Sequence, residues 1–94
     1  MTDEEILTAL RTLRRVTLFT RDADFYRRDL CHPNYCLVLI AASADDMAAY
    51  AIQFLRHRSF RTYAQRMGAV VRLQPSGIVY WSRRHAAELF ERWG

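Results

Sequence analysis

Two cysteines and three histidines are the residues of this chain best suited to metal or proton chemistry, and their spacing limits both readings. Cys31 and Cys36 bracket His32 in Cys31-His32-Pro33-Asn34-Tyr35-Cys36. A zinc site would need these three and one of His57 or His85, but a second ligand pair of matching spacing is missing. No metal is expected, and both cysteines read as buried thiols that behave as small hydrophobes. His57 and His85 lie in an arginine-rich stretch, the setting a metal-independent ribonuclease would use for general acid and base chemistry. Nothing nearby fixes their geometry, and histidines at helix ends also serve as dipole partners. The chain has no phosphate-cradling Gly-rich loop, no Gly-x-Gly-x-x-Gly and no Gly-x-Ser-x-Gly. Neither an enzyme nor a cofactor is expected.

The arginines carry the stronger signal. All 14 basic residues are Arg, against 10 acids, for a net charge of +4, which excludes an acidic mimic of DNA. Residues 1–46 hold 6 Arg and 8 acids, a net of −2, whereas residues 47–94 hold 8 Arg and 2 acids, a net of +6. No acid falls between Asp46 and Glu88, an interval that contains Arg56, Arg58, Arg61, Arg66, Arg72, Arg83 and Arg84. Such asymmetry favours a polyanionic partner, with a solvated basic face as the plainer explanation. Arginine is also enriched at protein interfaces. A small inhibitor or adaptor of the phage or plasmid kind, anti-CRISPR-like and bound to a host protein or nucleoprotein complex, therefore fits the same residues.

The elements that must position these residues follow from periodicity. A chain of 94 residues, 51% hydrophobic and 26% charged, suits one small domain with its own core. Thr2 to Glu5 has capping-box form, and Ile6, Leu10 and Leu13 continue a helix over roughly 3–14. Val16–Thr20 and the apolar run Tyr35–Ile40 read as strands, and Asp22–Leu30 as a short helix. Ser43 opens a helix whose stripe is Met47, Tyr50, Ala51, Phe54 and Leu55. Ser59 would cap another with Phe60, Tyr63, Ala64 and Met67 inward, Arg61, Thr62, Gln65 and Arg66 outward, and Gly68 as its stop. Val70–Leu73 and Ile78–Trp81 form a hairpin about Gln74-Pro75-Ser76-Gly77. Tyr80 and Trp81 then point to opposite faces, and an exposed Trp81 beside Arg83 and Arg84 would mark a partner surface. Ser82 would cap a closing helix with Ala86, Leu89, Phe90 and Trp93 on one side.

This order of parts over residues 51–93, with Val70-Val71-Arg72-Leu73, Ile78-Val79-Tyr80-Trp81 and Ser82-Arg83-Arg84, resembles the excisionase and MerR-like winged helix-turn-helix families. The resemblance covers less than half of the chain and departs at the turn, where Arg56-His57-Arg58 replaces a small, β-branched stretch. It implies a DNA-binding regulator or accessory protein of α+β class, helix-rich, with residues 1–45 as a helical and strand layer and 46–94 as a winged-helix-like basic half. It also implies that Arg61, Thr62, Gln65 and Arg66 face base edges while Arg72, Arg83 and Arg84 hold phosphate. Arg56 and Arg58 in the turn join them as candidates for nucleic-acid or partner contact. A homodimer would match paired half-sites. The longest apolar run, Tyr35 to Ala44, is too short to span a bilayer, which takes about 20 residues. Met1 to Glu5 is not a signal peptide, so a cytoplasmic protein with no membrane partner is expected.

Overall fold

The computed structural model describes residues 2–93. It is a small α+β domain built on one five-stranded sheet in the order β1 (Val16–Thr20), β2 (Tyr35–Ile40), β3 (Ala69–Gln74), β4 (Gly77–Ser82), β5 (Leu89–Glu91). β1, β2 and β3 are parallel, with Val16 opposite Tyr35 and Leu37 opposite Val70; β4 and β5 each pair antiparallel. All six residues of β2 are buried, because the strand has a neighbour on each side and cover on both faces. That is why its sequence is continuously apolar rather than alternating.

The two faces have separate cores. On one, helix α2 (Met47–Arg56) sets Phe54 against Cys36, Val38, Val71 and Leu73, with Phe60 alongside. On the other, Leu10 of helix α1 (Asp3–Thr12) joins Phe25 and Leu30 over Tyr35, Leu37 and Val70. Phe25 and Leu30 belong to two 3-10 turns, Ala23–Phe25 and Arg28–Leu30, where a short helix was expected over Asp22–Leu30. The β1–β2 connection thus crosses the α1 face and the β2–β3 connection the α2 face. Both step the same way across the sheet, so they have opposite hands and one departs from the usual right-handed rule.

Thr2 caps α1 by accepting from the Glu5 N–H, and the β3–β4 hairpin forms where the turn residues place it. Gly77 must stay bare, since a Cβ there would lie 2.6 Å from the Glu91 carbonyl and 2.7 Å from the Phe90 ring.

Two further expected helices differ, and the sheet outweighs the helix-rich reading. The segment 59–67 is helical only over α3 (Tyr63–Arg66), because Thr62, not Ser59, is the cap: it accepts from Gln65 N–H while the Gln65 side chain accepts from Thr62 N–H. Ser59 N–H instead donates to His57 Nδ1. The closing helix is absent: residues 89–91 pair with β4 as an edge strand, and Trp93 donates to the Gln74 carbonyl at 2.8 Å. The spacing of Ala86, Leu89, Phe90 and Trp93 mimics a helical stripe, yet Leu89 and Phe90 point to opposite faces. Tyr63 and Phe90, expected in the core, are about half exposed.

Candidate nucleic-acid interface

Parallel pairing of β1, β2 and β3 puts the residues that precede them at one end of the sheet, and the antiparallel β4 finishes there too. Arg14 and Arg15 lead into β1, His32, Pro33 and Asn34 into β2, and Arg83, Arg84 and His85 follow β4. The α1 C-terminus joins them, with Asn34 Nδ2 donating to the Arg11 carbonyl at 3.0 Å. The opposite end is acidic: Asp22 and Asp24 follow β1, Asp45 and Asp46 follow β2, and oxygens of Asp3, Asp22 and Asp24 lie within 4.8 Å of one another. Charge is segregated along the strand axis. Among the described residues the one ion pair is Arg27 with Asp29, so most of the arginines stand without a carboxylate partner.

Around Cys31 and His32 the basic end becomes a site. Partial burial, then the nearby Arg11 and Arg83 charges, holds His32 below its ordinary pKa. Burial raises the Cys31 pKa, with Arg28 and Arg83 acting in the opposite direction. Arg11 from α1, Arg28 from a 3-10 turn and Arg83 after β4 therefore converge on two adjacent residues. An open groove of about 730 Å³ runs beside Cys31, with Tyr26 and Trp81 as aromatic walls, Arg28 and Arg83 at its margins and the paired Arg27 and Asp29 between them. The Tyr26 hydroxyl donates to the Glu88 carboxylate, and burial and this bond both raise its pKa. Arg72 acts on Tyr26 as well. Arg83 also borders a neighbouring groove of about 590 Å³ with Arg84, His85, Gln65 and Tyr80. Its stem crosses Gly68, where a Cβ would approach Arg83 Cδ to 3.2 Å and where φ is +91°.

Guanidinium groups offer forked donors that match phosphate oxygens, and half-buried aromatic rings offer stacking surfaces. Acid–base chemistry is not set up by His57: its Nδ1 accepts from Ser59 and its Nε2 meets the Arg92 carbonyl at 2.6 Å, so both nitrogens are engaged. Cys31 is biased toward the protonated thiol, a poor nucleophile. Cys31 and Cys36 belong to cores on opposite faces and do not converge on a common ion.

The residues expected to read bases are distributed otherwise. Arg66 is buried, donating to Thr17 Oγ1 and to the Phe60 and Arg61 carbonyls. Thr62 and Gln65 form the α3 capping box, and Gln65 Nε2 also donates to the Arg58 carbonyl at 2.7 Å. With four residues, α3 is about 6 Å long, too short to lie along a major groove. Arg61 is exposed, as are Arg56 at the end of α2 and Arg58 in the turn beyond it. Arg72 is exposed on the α1 face, and Arg83 and Arg84 are exposed beyond β4. The structure thus places Arg83 and Arg84 on the grooves, leaves Arg72 exposed on the α1 face and withdraws Arg66.

Arg11, Arg28 and Tyr26 were not legible as site residues, because the first half is net acidic. The available signal was the order within α1, with acids in its first turn and Arg11, Arg14 and Arg15 at its end. No protein-family model, curated protein or solved structure matches this chain.

Proposed function

We propose that this is a small, non-enzymatic, cofactor-free DNA-binding accessory protein of the cytoplasm that grips the phosphate backbone with the basic end of its sheet. The carrying observation is the groove beside Cys31 that Arg28 and Arg83, from separate elements, border, with Arg11 of α1 close by His32. Arginines outnumber acids at this end, where Asp29 is paired with Arg27 and Glu88 with the Tyr26 hydroxyl, while Asp3, Asp22, Asp24, Asp45 and Asp46 stand at the other. Such a cluster of exposed arginines raises the local positive potential and attracts a polyanion. Arg83 and Arg84 follow β4 at this basic end, whereas the β3–β4 turn lies at the opposite one, which favours phosphate contact by the strand ends over contact by a hairpin wing. The internal bonds of Thr62, Gln65 and Arg66 argue for backbone contact over base reading by α3.

Fluorescence anisotropy on random duplex DNA tests this between about 50 and 200 mM salt. Contacts with three to five phosphates should lower affinity by about 40- to 500-fold across that range, from a slope near −0.9 per phosphate. Absence of binding at the low-salt end would remove the proposal.

A second reading, an inhibitor or adaptor bound to a host protein, is favoured by one feature. On the α1 face Arg72, Val79 and Phe90 lie in one row across β3, β4 and β5, with Phe90 51% exposed. Arginine beside an exposed aromatic ring is a common interface core. Loss of a captured protein on Phe90→Asp, with the DNA salt slope unchanged, would support it.

A further inference from the structure

Helix α2 has no charged residue between its ends, and its outer face is apolar apart from the exposed Gln53 on its flank. Phe54 points to the core, and Met47, Tyr50 and Ala51 pack beside it. Ala48, Ala49, Ile52 and Leu55 face outward, with Ile52 51% and Leu55 37% exposed. At about 100° per residue, Ala49, Ile52 and Arg56 fall on one outer line, and Asp45 in the preceding turn continues it. The line therefore runs acid, small, large apolar, base.

We infer that this face pairs with the same face of a second copy, helix against helix and antiparallel. Turned about a two-fold axis, Asp45 of each copy meets Arg56 of the other, and Ile52 of each sits over Ala49 of the other. Leu55 then lies beside Ala48. Large residues fill the space left by small ones and opposite charges meet at both ends, the self-complementarity that an isologous contact requires. A parallel pairing would set Asp45 against Asp45 and Arg56 against Arg56. Asp45 and Arg56 form no ion pair within the chain among the described residues, so both are free for this contact. The contact spans only about 15 Å of helix and belongs with small, reversible interfaces.

Sedimentation equilibrium from about 10 to 500 μM protein tests the pairing. The wild type should pass from monomer to dimer, and Ile52→Glu should stay monomeric with an unchanged circular dichroism spectrum and melting temperature. Asp45→Arg and Arg56→Glu should each weaken the dimer at least about fivefold by setting like charges opposite each other, and the double variant should restore it. A wild type monomeric throughout, an Ile52→Glu variant that dimerises equally well, or a double variant no better than the singles would each overturn the proposal.

Discussion

Arg66 Nε donates to Thr17 Oγ1 at 3.1 Å, joining residues 49 apart in the chain and tying α3 to the edge strand β1. The same guanidinium donates to the Phe60 and Arg61 carbonyls and lies over the Tyr63 ring at 5.0 Å. Arg66→Ala would leave those acceptors without their donor in a buried place, a loss of about 2–4 kcal/mol. Urea unfolding should show a lower midpoint with an unchanged slope. DNA affinity, measured where the variant is folded, should not change. Wild-type stability in this variant would show that the buried bonds contribute nothing.

The basic end should titrate arginine by arginine. Arg28→Ala and Arg83→Ala should each reduce the salt slope of DNA binding by about one and weaken all sequences alike. Arg21→Ala, at the acidic end beside Asp22, should leave the slope alone. An equal effect of Arg21→Ala would mean that overall charge, not its placement, drives binding.

The cysteines should differ in reactivity. Cys36 is wholly buried within the sheet, and burial pushes its thiol up to about 12. Cys31 is partly exposed and raised less. In native protein at pH 8, iodoacetamide followed by mass spectrometry should find slow single labelling at Cys31, with Cys36 labelled only when urea opens the fold. Because Cys31 lines the groove, bound DNA should slow its labelling further. Similar rates at both thiols would contradict the burial of β2.

Acid should weaken the fold through His32. Its Nδ1 accepts from the Asn34 N–H at 3.1 Å and its ring stacks on Tyr35 at 5.1 Å, and the first of these bonds requires an unprotonated Nδ1. The folded pKa lies below the ordinary 6.5, so as pH falls through that value the unfolded chain takes up a proton that the folded one refuses. Stability is then full above the unfolded pKa and declines below it, until the folded ring also titrates. Urea midpoints between pH 7.5 and 5 should fall less steeply in His32→Gln than in the wild type. Parallel curves would exclude His32 as the source.

Much of the local structure was legible because it rests on local physics. Val16–Thr20 and Tyr35–Ile40 emerged at their observed bounds, since β-branched and apolar runs of that length suit strands, and Gln74-Pro75-Ser76-Gly77 marked the hairpin through its turn residues. The α2 stripe was legible for the same reason in Met47, Tyr50, Ala51 and Phe54, whereas Leu55 faces outward and a 3-10 turn after Ser43 delays the helix to Met47. Segments 59–67 and 82–93 failed where a pattern of four apolar residues was read as a helix. In the first, the Thr62–Gln65 capping box and the bond from Ser59 N–H to His57 Nδ1 start the helix late. In the second, the open edge of β4 offered hydrogen bonds and the Gln74 carbonyl a partner for Trp93.

The sequence by itself determined the composition of the two halves, the strands β1 to β4, the Thr2 cap of α1 and the excess of arginine in the second half. Only the tertiary structure decided which arginines stand together. Residues before β1, β2 and β3 are far apart in the chain, but parallel pairing stacks them at one end, so Arg11 and Arg28 from an acidic half join Arg83 from a basic one. The same pairing buried Arg66, because closing α3 onto β1 satisfied its donors inside the fold.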